Sequence, residues 1–290
     1  MSCVPGDWLL DLTLSVDYPR KPGVLTGAEL SIGYGEIVGL VGQSGSGKTT
    51  LGMAIPRLVS APGARVSGRL VFRGEDLLTC TERRIRSIRG KDIGVVFQGA
   101  QSALNPALRL GTQLREVWRA HRSRSEWKAR GQEHAKELLR AMGLPSDDAF
   151  LRRYPAEISI GQAQRVLIAM AVMHSPALVI ADEPTSALDM VTQAEVLKLL
   201  RELRDNLGTS VLFISHDLGA VAALCDRIGI LFNGRIVETI HAERIFSAPQ
   251  HAYTRSLIEA IPFPHARALA PQGPLAGVPG PNTLAEATGT

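Results

Sequence analysis

Cysteine is scarce in this chain: three in 290 residues, Cys3, Cys80 and Cys225, far apart and without a CxxC pair. That spacing argues against a disulfide framework or a zinc site and fits a reducing compartment. Long apolar runs are also missing. The longest, Val166 to Met173, is far short of the ~20 residues that span a bilayer. Any work at a membrane therefore needs other chains to supply the spans. No basic segment followed by an apolar run opens the chain, where Asp7, Asp11 and Asp17 intervene, so no signal peptide is expected. Neither sign of charge dominates: the formal net charge is +4, which decides nothing about partners by itself. The positive charge is uneven, however. Arg83, Arg84, Arg86, Arg89 and Lys91 face only Glu82, and the stretch from Arg115 to Lys136 is rich in Arg and Lys. These read as solvated helix faces, or as a surface near anionic lipid or an acidic partner. With no aromatic interleaving and no reader motif, a nucleic-acid partner is not expected.

Apolar residues make up 45% of the chain, enough for a sizeable core. The length suits one large domain, or one domain with a small appendage. Residues 8–16 and Leu25 to Ile32 alternate apolar and polar, the pattern of half-buried strands. Ile37 to Val41 is a short, wholly apolar run, as expected of a strand buried on both faces. A helix is expected from Thr49 to about Leu58, a strand over Arg69 to Phe72, a turn at Arg73 to Asp76, and a strand over Ile93 to Phe97. From about Gln101 to Gly161 the apolar spacing becomes helical. Strand patterns return at Leu178 to Ala181, Val211 to Ser215 and Ile228 to Phe232, with helices near 192–207 and 217–224 between them. Gly208 stands where a helix C-cap belongs. Strands alternating with helices predict an α/β sheet. Beyond Pro262 the chain turns Pro-, Gly- and Ala-rich and is expected to be disordered.

The strongest motif is Gly42-Gln43-Ser44-Gly45-Ser46-Gly47-Lys48-Thr49, followed by Thr50. It fits GxxxxGK[ST] between a predicted strand and a predicted helix. Successive backbone amides of such a loop form an anion cradle. Lys48 is expected on the β- and γ-phosphates, and the Thr49 hydroxyl on Mg²⁺. Next, the strand Leu178 to Ala181 ends in Asp182 and Glu183. Asp182 is placed to hold Mg²⁺ through water, and Glu183 to orient or deprotonate the attacking water. His216 and Gln98 each follow a predicted strand. In open α/β sheets ligands lie beyond the carboxyl ends of strands. That placement suits His216 for a γ-phosphate contact and Gln98 for Mg²⁺ or water, although either alone is a weak signal.

Taken in order, the loop 42–49, Gln98, Ile158-Ser159-Ile160-Gly161-Gln162, the run Asp182 to Asp189, and His216 resemble the motifs of ABC-transporter ATPases. The likeness covers roughly residues 8–262. Tyr18 stands where the family places an aromatic on adenine, or is simply a strand-end residue. Gln101 to Pro106 and Ser247 to Leu257, with Ala252 where the pattern has Pro, resemble the oligopeptide, dipeptide and nickel importer ATPases. The resemblance implies a RecA-like P-loop core with an N-terminal antiparallel β-subdomain and a helical insertion. The domain would run over 1–265, with helices at about 101–164 and a C-terminal extension at about 245–265, followed by a tail over 266–290. It implies ATP and Mg²⁺ as ligands. Some members carry an iron–sulfur cluster near the C-terminus, but this chain lacks the cysteines, and none is expected. Two ATPase subunits would sandwich two ATPs, with Ser159, Gly161 and Gln162 facing the partner's nucleotide and Asp189 contacting across the dimer. Two transmembrane permeases and an extracytoplasmic solute-binding protein would complete an importer. The ATPase would sit peripherally on the cytoplasmic face of the inner membrane.

One departure stands out: Ile160 replaces the first glycine of the family's Leu-Ser-Gly-Gly-Gln signature. Either the β-branched residue crowds the approach of phosphate, which implies a dimer of unlike ATPases, or it turns harmlessly into the helical layer. The cargo expected is a peptide, nickel or a metal-chelate or opine-like solute. The alternatives are a soluble ABC ATPase acting on nucleic acid or the ribosome, and a nucleotide-binding regulatory module without turnover.

Overall fold

Two sheets divide the strands according to how their residues are patterned. The computed structural model describes residues 8–59 and 61–261; Cys3, the end of the extension and the tail from 266 onward lie outside the described residues. The alternating segments form an antiparallel sheet from β1 (Trp8–Tyr18), β2 (Lys21–Gly33), β4 (Arg65–Phe72) and the short β5 (Glu75–Asp76), in the order β2-β1-β4-β5. Leu10, Leu12, Leu14 and Val16 of β1 are buried, which fixes its register, since a one-residue slip would turn them to solvent.

The wholly apolar runs lie in a second sheet. It comprises β3 (Ile37–Val41), β6 (Ile93–Val96), β7 (Leu178–Asp182), β8 (Ser210–Ile214), β9 (Arg227–Phe232) and β10 (Arg235–His241), in the order β10-β9-β3-β8-β7-β6. All pairings are parallel except β10 with β9. Successive residues of its strands enter opposite cores. Val38, Leu40, Ile180, Leu212 and Ile214 join the core beneath the antiparallel sheet. Ile37, Val41, Val179, Val211 and Phe213 join the core shared with the helical layer. Burial on both faces is why the inner strands β3, β7 and β8 are apolar along nearly their whole length.

Helix α1 (Lys48–Ala54) follows β3, and α2 (Glu82–Ile88) lies between β5 and β6. Between β6 and β7 the chain is helical: α3 (Ala100–Ala103), α4 (Leu110–Arg119), α5 (Arg124–Glu126), a π-helical turn over Trp127–Gly131, α6 (Gln132–Ala141), α7 (Asp148–Leu151) and α8 (Ile160–Ala171). Their inner residues, among them Leu110, Leu114, Leu139 and Phe150, are buried in the second core. Helices α9 (Met190–Leu207) and α10 (Leu218–Leu224) follow β7 and β8, and α11 (Ala252–Glu259) ends the described chain. Gly208 caps α9 at φ 64°, as its position in the sequence predicts.

Several boundaries differ from expectation. Helix α1 stops at Ala54, short of Leu58, because Pro56 has no amide hydrogen and Arg57 turns left-handed at φ 54°. Leu58 N–H then closes the end on Met53 O at 2.8 Å. The expected turn at residues 73–76 is confined to Arg73 and Gly74; Glu75 and Asp76 return along β4 as β5. Strand β10, absent from the sequence reading, is an edge strand of half-exposed and exposed residues.

Candidate functional site

The carboxyl ends of β3, β7 and β8 open on one cleft of about 660 Å³, lined by Tyr18, Lys21, Val24, Ser44, Gly45, Gly47, Lys48, Thr49, Thr50, Gln98, Glu183 and His216. The sheet topology brings them together. Strands β7 and β8 are parallel neighbours, and β3 lies beside β8, so the three following loops share an edge. Tyr18 is the last residue of β1 and reaches the cleft from the antiparallel sheet. Gln98 is exposed and follows β6.

The loop after β3 is shaped by its glycines. A side chain at Gly42 would collide with Leu231 O. Gly47 is at φ 109°, with Leu25 Cδ2 only 2.8 Å from where a Cβ would sit. The peptide between Gly42 and Gln43 is held at both ends. Lys48 Nζ donates to Gly42 O at 2.7 Å and also to Gln43 O at 3.1 Å. The Gln43 N–H donates to Tyr253 Oη at 2.9 Å. Lys48 is buried. Burial pushes its pKa down, and the carboxylates of Glu183 and Asp182 partly restore it.

Asp182 ends β7 in the interior, and its Oδ1 is buried without a hydrogen-bond partner. Burial raises its pKa; the Thr49 side chain pulls it back, Glu183 raises it further, and Lys48 lowers it. An orphaned carboxylate oxygen beside a hydroxyl is a donor set suited to a hard cation such as Mg²⁺. The residues therefore fit the expected ion.

Glu183 adopts φ 49°, unusual for a residue with a side chain. Its N–H continues the β7–β8 ladder to Ile214 O at 2.9 Å. Its side chain is only 10% exposed, and Oε2 meets His216 Nδ1 at 2.8 Å, with the His216 side chain 65% exposed. Strain of this kind concentrates where a side chain must be aimed.

Ser159, Gly161, Gln162 and Asp189 are not among the residues lining this cleft. Ser159 caps α8 in a reciprocal box: its Oγ accepts from Gln162 N–H at 3.2 Å, and Gln162 Oε1 accepts from Ser159 N–H at 3.1 Å. Asp189 caps α9 through the amides of Val191 and Thr192, each at 3.0 Å. The two starts touch, because a Cβ at Gly161 would lie 2.6 Å from Thr192 Cγ2. Ile160 is 42% exposed, so it does not turn into the helical layer.

Lys21 and Val24 were not foreseen, since nothing marks an exposed or half-buried strand residue as a cleft wall until the hairpin is folded. Tyr253 was foreseen only as part of an extension. Its link to the phosphate loop joins residues 210 positions apart.

The ABC transporter family profile matches residues 25–186. The oligopeptide transport ATP-binding protein OppD of Bacillus subtilis is 39% identical over 254 residues, covering 87% of this chain and 70% of that protein. The peptidoglycan transport ATP-binding protein YejF of Agrobacterium fabrum is 44% identical over 241 residues, which are 82% of this chain and 44% of the relative. Among solved structures, the dimeric post-hydrolysis state of the ATP-binding cassette MJ0796, bound to ADP and Pi, matches at TM-score 0.68 and 28% identity, over 80% of this chain and 98% of that one.

Proposed function

Since this chain belongs to the ABC transporter family, we propose that it is the ATP-hydrolysing subunit of an importer whose cargo is a peptide or peptide-containing solute. The observation that carries the reading is the convergence on one cleft of Lys48, Thr49, Gln98, Glu183 and His216, with Asp182 buried beside Thr49. The cargo follows from relatives named for oligopeptide and peptidoglycan transport.

In this reading the amides of residues 44–49 and the Lys48 ammonium hold the β- and γ-phosphates, and Tyr18 lies against the adenine. Thr49, Asp182 and Gln98 would hold Mg²⁺, which neutralises charge on the phosphates. The oxygen of a water bonds to the γ-phosphorus as the bond to the β,γ-bridging oxygen breaks. ADP leaves with that electron pair, and Glu183 takes the water's proton. His216 keeps the Glu183 carboxylate aimed through their 2.8 Å contact. The likeness to a dimeric cassette bound to ADP and Pi supports a second ATPase subunit. Ser159, Gly161 and Gln162 would complete that subunit's site, with Asp189 at the contact. The helices over 101–164 would engage two permeases from the cytoplasmic face of the membrane, and an external solute-binding protein would deliver cargo. No helix among the described residues is long and apolar enough to cross a membrane; the permeases would supply the spans. Binding of labelled ADP with magnesium tests the site. The parent should retain ADP and Lys48→Ala should lose it; equal retention by both would overturn the assignment.

A further inference from the structure

The C-terminal extension enters the nucleotide site through one hydroxyl. We propose that Tyr253 is a positioning residue for the phosphate loop, holding the Gly42–Gln43 peptide in the orientation that places the Lys48 ammonium. The inference rests on the nucleotide-site reading above. The Gln43 N–H and the Gly42 carbonyl belong to the same planar peptide unit. Tyr253 Oη accepts from the N–H at 2.9 Å, and the carbonyl accepts from Lys48 Nζ at 2.7 Å. Rotating that peptide breaks both bonds together, so what fixes one end fixes the other. The N–H committed to Tyr253 is also withdrawn from direct phosphate binding.

The phenol is itself held firmly. Its ring stacks on Phe232 with centroids 4.1 Å apart, and the residue is buried. Phe232 follows Leu231, whose carbonyl is the atom that forbids a side chain at Gly42. The end of β9 thus braces both the loop and the tyrosine. Helix α11 is anchored in turn by Glu238, which accepts from Gln250 N–H at 2.8 Å, His251 N–H at 3.0 Å and the Thr254 hydroxyl. Arg255 ties the outer side to the carbonyls of Pro249 and Gln250.

Tyr253→Phe keeps the stacked ring and removes only the acceptor. In equilibrium dialysis of the full chain against labelled ADP and magnesium, the Kd should rise about tenfold, equivalent to about 1.4 kcal/mol, with at most a small fall in melting temperature. Arg255→Ala is the structural comparison, because its side chain bonds only the carbonyls of Pro249 and Gln250 and leaves the Phe232 stack and the Glu238 anchor that hold Tyr253 in place. It should lower the melting temperature and leave ADP affinity unchanged. Amide exchange in the parent gives a reading independent of any variant: the Gln43 N–H should exchange far more slowly than that of Ser44. The inference is overturned if Tyr253→Phe binds ADP as tightly as the parent, if Arg255→Ala loses as much affinity, or if Gln43 exchanges as fast as Ser44. Failure of the parent to bind ADP would sink the site and this inference together. Loss of binding in Lys48→Ala alongside an unaffected Tyr253→Phe would sink this inference alone.

Discussion

Asp182 carries a buried carboxylate with one unpartnered oxygen, and Lys48, also buried, lines the cleft beside it. Neither charge favours the fold by itself. Burial raises the Asp182 pKa above its unfolded value. A raised pKa means that the native chain binds the proton more tightly. The stability so gained is complete below the unfolded pKa and is lost as pH rises through the folded one. Above the folded pKa the ionised group is therefore a net cost, tolerated for the cation it would hold. Asp182→Asn should melt higher than the parent when no nucleotide is added; ~1 kcal/mol corresponds to a rise of about 2–4 °C at this size. It should also lose magnesium-dependent phosphate release. A lower melting temperature would refute the account. Glu183→Gln separates binding from chemistry. It keeps the shape and the contact with His216 but cannot take a proton, so phosphate release should fall by roughly 10²–10³-fold while ADP binding is kept. Undiminished release would remove Glu183 from the mechanism.

Helix α11 illustrates what a single element owes to its termini. Its N-cap, His251, has φ −82° and ψ 140°, a conformation that a following proline favours. Ala252 occupies the first helical position, where an amide needs no intrahelical partner and proline is well suited. Ala252→Pro should therefore stabilise the extension by about 0.4–1 kcal/mol through the unfolded state, measurable as a higher melting temperature. A fall would show that the Ala252 N–H has a partner. The same helix marks the limit of what sequence patterns reveal. Strands β3, β7 and β8 were legible because burial on both faces leaves polar residues only at their ends. The residues at their ends were legible because a parallel sheet puts its loops on one edge. Strand β10 was not, since Arg235, Glu238 and His241 break the alternation on an edge that needs little burial. Helix α2 read as a charged face, and only its packing reveals the buried Ile85 and Ile88. The Tyr253–Gln43 bond leaves no local trace, because no short-range rule relates a side chain to a backbone amide more than two hundred positions away.

In the proposed assembly the chain would hold half of each of two different sites. Its own phosphate loop lines the cleft, whereas Ser159, Gly161, Gln162 and Asp189 do not. Ile160, Met190 and Val191 stand at the starts of α8 and α9 and are 42%, 76% and 71% exposed. Those starts are braced against each other through Gly161 and Thr192. Exposed apolar residues beside rigid helix starts suit a contact with another chain. Turnover should therefore depend on association, and the two halves should be separable by mutation. Ser159→Arg introduces bulk and charge at the α8 cap without touching the cleft. It should leave ADP binding by the same chain unchanged and abolish both ATP-dependent association with the second ATPase subunit and phosphate release. Parallel loss of ADP binding would mean that the cap supports the chain's own site instead. Ile160→Gly asks whether the contact is made with a like chain. If Ile160 crowds the phosphate of a second copy, the substitution should raise the specific activity of the purified chain at high concentration. If activity does not rise, Ile160 imposes no penalty at that site, and the argument from Ile160 for an unlike partner fails.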